Sequence, residues 1–104
     1  PPPPVPFDGP SFVAMNVLCG GVTYFVKFEG DDNEFEDSPG QAPGCAIVPA
    51  ANKADGSDLG MSGSAAGNCI TISTGGCTVL ESAVKKGLTC VSGATGSGSL
   101  SFCS

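Results

Sequence analysis

The stretch SFVAMNVLCGGVTYFVKFEG, from Ser11 to Gly30, decides the fold. Both of its halves are rich in β-branched and aromatic residues, which is the composition of β-strands. The halves meet at Gly20-Gly21, and two consecutive glycines tolerate the positive φ angles that a two-residue hairpin turn requires. The stretch therefore predicts an antiparallel β-hairpin.

Period-two alternation assigns one face of each hairpin arm to a core. The core-facing positions are Val13, Met15, Val17 and Cys19 on the first arm and Val22, Tyr24, Val26 and Phe28 on the second. The opposite faces mix apolar and polar side chains. We expect them to be covered in part by PPPPVPFDGP, a Pro-rich extended arm at residues 1–10 that precedes a single domain at residues 11–104.

Six cysteines and no histidine stand in this chain of 104 residues. The cysteines are Cys19, Cys45, Cys69, Cys77, Cys90 and Cys103. Their even number, wide spacing and lack of any C-x-x-C pair favour three disulfides over a zinc site. Disulfides persist in oxidising compartments, so we expect a secreted, extracellular protein in its mature form. The sequence does not determine which cysteines pair with which. We expect Cys103 to be tied to a central strand, because that bridge would fasten the C-terminal strand.

The charge balance excludes several kinds of partner. The chain has ten acidic residues and four lysines, with no arginine, and a formal net charge of −6. Binding to nucleic acid or to an anionic membrane surface needs a basic footprint that this composition lacks. No apolar run approaches the roughly 20 residues that span a bilayer. We therefore expect no nucleic-acid partner and no membrane span, and a monomer.

The acidic stretch EGDDNEFED, from Glu29 to Asp37, is the strongest candidate for a partner-binding surface. It holds six of the ten acidic residues, with one aromatic side chain at its centre. The candidate residues are Asp31, Asp32, Glu34, Phe35, Glu36 and Asp37. A solvated turn and a weak calcium site are the alternatives. An EF-hand is excluded because Glu36 and Ala42 stand where that loop needs Gly and a bidentate Glu. Phe35 is either an anchor for a partner or a side chain folded back into the core.

The residue types needed for common catalysis are absent. Without histidine there is no Ser-His-Asp or Cys-His arrangement, and bridged cysteines offer no thiolate. Paired carboxylates of the glycosidase type remain conceivable, but the chain has no Trp and one Tyr with which to hold a sugar. We therefore expect no enzyme, no cofactor and no metal site.

The rest of the chain predicts short strands and one helix. The strands are expected in CAIV (residues 45–48), NCITIST (68–74), LTCVS (88–92) and SLSFC (99–103), with acidic turns over residues 30–44 and a small-residue loop over residues 57–67. A helix is predicted over Val79 to Lys86, because Thr78 and Glu81 have capping-box spacing and Gly87 suits a C-terminal stop. Leu80, Ala83 and Val84 would form its apolar stripe. The predicted class is α+β, a small antiparallel sheet with one short helix packed on it.

This combination of features resembles the small secreted cysteine-rich effectors and elicitors of fungi. The shared profile is a chain near 100 residues, an even number of cysteines, an acidic composition, a Pro-rich leader, and strands around one helix. The order of these elements is also similar to the killer-toxin-like α/β sandwich. The resemblance implies a non-enzymatic protein that binds a host extracellular or surface protein, or triggers plant defence or cell death. A secreted inhibitor or a cell-wall-associated structural protein is the alternative.

Overall fold

A computed structural model describes Pro3, residues 5–38 and residues 44–104. The rest of the predicted N-terminal arm, residues 1, 2 and 4, and the turn predicted within residues 39–43 lie outside the described residues. The described chain forms nine strands and one short 3-10 helix. The strands are β1 Phe12–Cys19, β2 Val22–Glu29, β3 Glu34–Glu36, β4 Asn52–Lys53, β5 Ser62–Ala66, β6 Cys69–Ser73, β7 Thr78–Lys86, β8 Thr89–Ser92 and β9 Ser99–Cys103, and the 3-10 helix is Gly56–Leu59.

The strands form two sheets packed face to face. The larger sheet has the order β3-β2-β1-β7-β8, with β4 added in parallel to β2, and the smaller has the order β5-β6-β9. All other pairings are antiparallel. The predicted α+β class is therefore wrong, because the protein is an all-β, two-sheet fold.

The predicted hairpin is confirmed. β1 and β2 pair from Phe12 opposite Glu29 to Cys19 opposite Val22. The connecting Gly20 and Gly21 have φ angles of 57° and 80°, the left-handed values that a two-residue turn of this kind needs.

The main core lies between the two sheets. The predicted inward residues of the hairpin supply much of it, including Met15, Val26 and Phe28. The smaller sheet contributes Ile70, Ile72 and Phe102, all at most 2% exposed. Burial of large side chains of this kind contributes about 1.5–3 kcal/mol each.

A second, smaller core covers the other face of the larger sheet. Ala14, Phe25 and Ala83 pack there against Cys45 and Ile47. The covering chain is the segment from Cys45 to Ala50, whereas Phe7, in the described part of the predicted N-terminal arm, packs against the main core. The amide of Asn16 donates to the carbonyl of Val48 at 2.6 Å and fastens the segment to β1.

The predicted helix over Val79 to Lys86 is wrong, because these residues lie in β7. The expected capping pair is separated: Thr78 Oγ1 lies 3.1 Å from Ser97 Oγ, and Glu81 accepts from the amide of Asn16. Gly87 does take a left-handed φ of 58°, but it does so in the turn that joins β7 to β8.

An irregularity in β7 explains why the pattern looks helical. Asn16 pairs with Glu81 and Val17 with Val79, so Leu80 is an extra residue that bulges from the ladder and is 49% exposed. A bulge shifts the side-chain alternation by one position. The shift lets Val79 and Val84, five residues apart, both enter the main core. The expected stripe is split because adjacent strand residues face opposite ways, so Ala83 enters the second core.

Three other local predictions can be compared with the structure. Residues 45–48 form no strand, although Cys45 and Ile47 are buried. The stretch over residues 57–67 is more ordered than the predicted loop, because it contains most of the 3-10 helix and β5. The strands expected in residues 68–74, 88–92 and 99–103 are confirmed as β6, β8 and β9.

All six cysteines are paired, which confirms the three predicted disulfides. The bridges are Cys19–Cys77, Cys45–Cys90 and Cys69–Cys103. The last ties β9 to β6, the central strand of the smaller sheet, as expected for Cys103. The second ties the covering segment to β8. A disulfide typically contributes about 2–4 kcal/mol.

The N-terminal segment joins the body at Phe7, which packs against the main core. Asp8 then donates its N–H to the carbonyl of Gly67 and pairs with Lys86 at 2.9 Å. Among the described residues, no helix is both long and apolar enough to cross a membrane.

Substitution in β7 distinguishes the strand from the predicted helix. Val79→Ala should cost about 2 kcal/mol of unfolding free energy because it removes two methyl groups from the core. Leu80→Ala should cost less than about 0.5 kcal/mol because the bulged side chain is half exposed. Urea titration of both variants measures the two values. A larger cost at Leu80 than at Val79 would contradict the strand register.

Candidate functional site: a groove beside the acidic hairpin

The acidic stretch forms a second hairpin on the larger sheet. Glu29 ends β2, a turn follows, and β3 returns alongside β2 with Phe35 opposite Phe28 and Glu36 opposite Lys27. The solvated-turn alternative therefore holds for residues 31–33 but not for Glu34–Glu36, which form β3. Asp31 and Asp32 lie exposed in that turn, and the exposed Asp37 follows β3.

The two faces of β3 differ in chemistry. On one face, Glu36 forms an ion pair of 3.0 Å with Lys27. On the other, the ring of Phe35 meets the ring of Phe28 edge-on, with centroids 4.9 Å apart. Period-two alternation in β3 thus places Glu36 and Phe35 on opposite faces.

Asn33 links the acidic turn to the smaller sheet. It has a φ of 54°, the left-handed conformation that Asn tolerates better than most residues. Its side-chain oxygen accepts a hydrogen bond of 2.7 Å from the N–H of Ala65 in β5. The hairpin is therefore held beside the edge of the smaller sheet, and a gap remains between the two sheets.

This gap is an open groove of about 540 Å³. Phe28, Phe35 and Met61 supply its apolar lining, and Glu34 and Asp55 its acidic groups. Glycines allow the rings to come close, because a Cβ on Gly56 would collide with the Phe35 ring and one on Gly63 would lie 2.6 Å from the Phe28 ring. The groove thus combines aromatic surface with negative charge.

A pair of carboxyl groups on the hairpin shares a proton. The pKa of Glu29 rises to about 7, chiefly through its hydrogen bond with Glu36, then through burial and the nearby negative charge of Glu36. The pKa of Glu36 is lowered, first by its hydrogen bond with Lys27 and then by that with Glu29. As pH falls through about 7, Glu29 therefore takes up a proton while Glu36 stays ionised.

The carboxylates also bear on the calcium alternative. Oxygen atoms of Glu29, Asp31 and Asp32 lie within 4.8 Å of one another. Calcium takes six to eight oxygen ligands, so three carboxylates that offer one oxygen each supply at most half of a shell. Exposed acidic clusters of this kind are common on protein surfaces, and we assign no metal site here.

The predicted site residues separate into two groups. Glu34 and Phe35 line the groove, whereas Asp31, Asp32, Glu36 and Asp37 do not appear in its lining. Phe35 is half-buried against Phe28, so it is both folded back and part of the groove surface. Whether the six residues bind a partner stays a prediction.

Several lining residues were missed. Ser57, Met61, Ser62 and Gly63 come from the stretch interpreted as a loop, and Asp55 lies just before that stretch. Their sequence signal is weak: Gly63 and Ala65 alternate with Ser62 and Ser64, a period-two pattern without any of the large side chains that usually mark a strand.

Comparison with known proteins assigns no family. The chain matches no protein-family model, and no curated protein or solved structure is significantly similar to it.

The shared proton makes stability depend on pH. The pKa of Glu29 is near 4.5 in the unfolded chain and about 7 in the folded protein. As pH rises between these values, the unfolded chain loses its proton first, so the folded state becomes less stable relative to it. Glu29→Gln stays neutral throughout. The melting temperature of Glu29→Gln, relative to that of the wild type, should therefore increase as pH rises between these two values. Glu36 acts in the opposite sense and at lower pH.

Thermal melts of both proteins across this range measure the effect, and NMR titration of the Glu29 carboxyl carbon reports its pKa directly. A constant difference in melting temperature, or a Glu29 midpoint near 4.5, would contradict the shared proton.

Proposed function

We propose that the protein is a secreted, non-enzymatic effector or elicitor that acts in the space around plant cells by binding a host extracellular or surface component. The acidic groove beside the β2–β3 hairpin is the observation that carries this proposal. It joins the half-buried ring of Phe35 to concentrated negative charge, and such a combination suits recognition of a partner. The three disulfides support an oxidising, extracellular setting.

The composition supports a binding role over catalysis. The chain has no histidine, and every cysteine is bridged, so neither a histidine base nor a thiolate nucleophile is present. The raised pKa of Glu29 belongs to a hydrogen-bonded pair on the hairpin. Such pairs also occur as purely structural features.

A cell-wall-associated role is the second candidate, and the smaller sheet favours it. The outer face of this sheet carries six exposed hydroxyl side chains and no charge. They are Ser62, Ser64, Thr71, Ser73, Ser99 and Ser101. A neutral, hydroxylated surface is compatible with an insoluble polysaccharide, and co-sedimentation with isolated walls separates this role from the first.

Infiltration of purified protein into plant leaves tests the first candidate. The oxidised protein should cause necrosis or a defence burst, whereas the reduced protein should not, because its fold depends on the disulfides. A variant with Asp31→Asn, Asp32→Asn, Glu34→Gln and Asp37→Asn should lose most of the response. A control with Asp8→Asn and Glu81→Gln, both remote from the groove, should retain it.

No response to the oxidised protein at any dose would contradict the effector proposal. An equal response to the oxidised protein and to the carboxylate variant would remove the acidic surface from it. Circular dichroism of each variant confirms that the fold is intact.

A further inference from the structure

Two strand edges border the groove, and neither has a second neighbouring strand among the described residues. β3 pairs only with β2, and β5 pairs only with β6. An unpaired edge presents backbone N–H and C=O groups that can pair with a strand from another chain. The groove therefore offers backbone groups as well as side chains.

The backbone of Gly63 faces the groove. Hydrogen-bonding direction alternates along an antiparallel strand, so residues two apart point the same way. The N–H of Ala65 points away from β6, because it donates to Asn33. Gly63, two residues earlier and in the lining of the groove, therefore also directs its N–H and C=O away from β6.

Asn33 marks the end of this open edge. By accepting from Ala65, its side chain occupies the hydrogen-bonding position that a neighbouring strand would use there. On the other side of Gly63, the N–H of Met61 donates to the carbonyl of Gly56 at 2.9 Å. Among the described residues, no group takes the corresponding position at Gly63. An added strand would thus pair at Gly63, between Met61 and Ala65.

The side chains around this position select the chemistry of the added strand. The half-buried ring of Phe35 would contact an apolar group on one side of it, whereas Phe28 and Met61, 1% and 3% exposed, lie beneath that ring as part of the core. Glu34 and Asp55 bring negative charge to the lining, and the hairpin beside them is the most acidic part of a chain of net charge −6. Complementarity therefore favours a positively charged segment and opposes an acidic one.

We propose that the groove binds an extended peptide segment with alternating apolar and basic residues, added as a strand along β5. This inference rests on the proposed function and names the chemistry of the partner at the same site. Backbone pairing at Gly63 supplies the orientation, the ring of Phe35 contacts an apolar side chain, and the acidic groups bind the lysine or arginine side chains.

Titration of the isotope-labelled, oxidised protein with a short valine–lysine alternating peptide tests the proposal by NMR. The amide of Gly63 should shift together with those of Phe35 and Met61, and the affinity should fall as salt is added. A valine–glutamate peptide should not bind. Absence of binding by the lysine peptide, or shifts confined to other surfaces, would overturn the proposal.

Backbone pairing is tested separately from charge. The lysine peptide is prepared in two forms, each with one alternate set of backbone nitrogens methylated. One form should lose binding, because the methyl groups remove the N–H donors that face β5. Equal binding of both forms and the parent peptide would overturn strand addition.

Matched variants test the charge. Glu34→Gln with Asp55→Asn should weaken binding about fivefold, the effect of two exposed ion pairs. Asn at position 55 still caps the 3-10 helix, where Asp55 now accepts from the N–H of Ser57. Glu81→Gln, outside the groove, should bind as the wild type does. Equal weakening by Glu81→Gln would overturn the assignment to the groove.

The outcomes separate this inference from the proposed function. A leaf response that depends on the acidic residues, without peptide binding, would overturn the inference alone. Peptide binding at Gly63 without any leaf response would overturn the effector proposal and leave the chemistry of the groove supported.

Discussion

The fold depends on β1 being a central strand buried on both faces. From Val13 to Val17, every residue of β1 is at most 9% exposed. One face meets the smaller sheet, and the other meets the segment that starts at Cys45. β1 also pairs along both edges, with β2 on one side and β7 on the other. Both cores and the larger sheet are therefore organised around a single strand. The register between that strand and β2 also places Phe28 in the lining of the groove.

Local sequence patterns predicted correctly those elements in which every local signal indicates the same structure. The β1–β2 hairpin could be predicted because its alternation, β-branched residues and glycine turn all indicate the same structure. β7 could not, because its bulge at Leu80 breaks the alternation and leaves apolar residues at helical spacing. The capping signals at Thr78 and Glu81 are local and weak, worth about 0.5–2 kcal/mol. Pairing with β1 and burial of Val79 and Val84 outweigh them, as tertiary contacts often do.

The candidate site was predictable in part for the same reason. The sequence pointed to the acidic hairpin and to Phe35 because charge density and an isolated aromatic are visible without a fold. The groove needs β5, which lies some 30 residues further along the chain and consists of small residues. Only the packing of the two sheets, fixed by Asn33 and by the close approach of Phe28 to Gly63, brings these parts together.

Native-state hydrogen exchange measures the central claim most directly. If β1 is flanked by β2 and β7, its amides bond alternately to the two neighbours, and those of Val13 to Val17 should all exchange only through global unfolding. If residues 79–86 formed a helix on the sheet instead, one edge of β1 would be open. Alternate amides of β1 would then exchange rapidly, and that result would contradict the account.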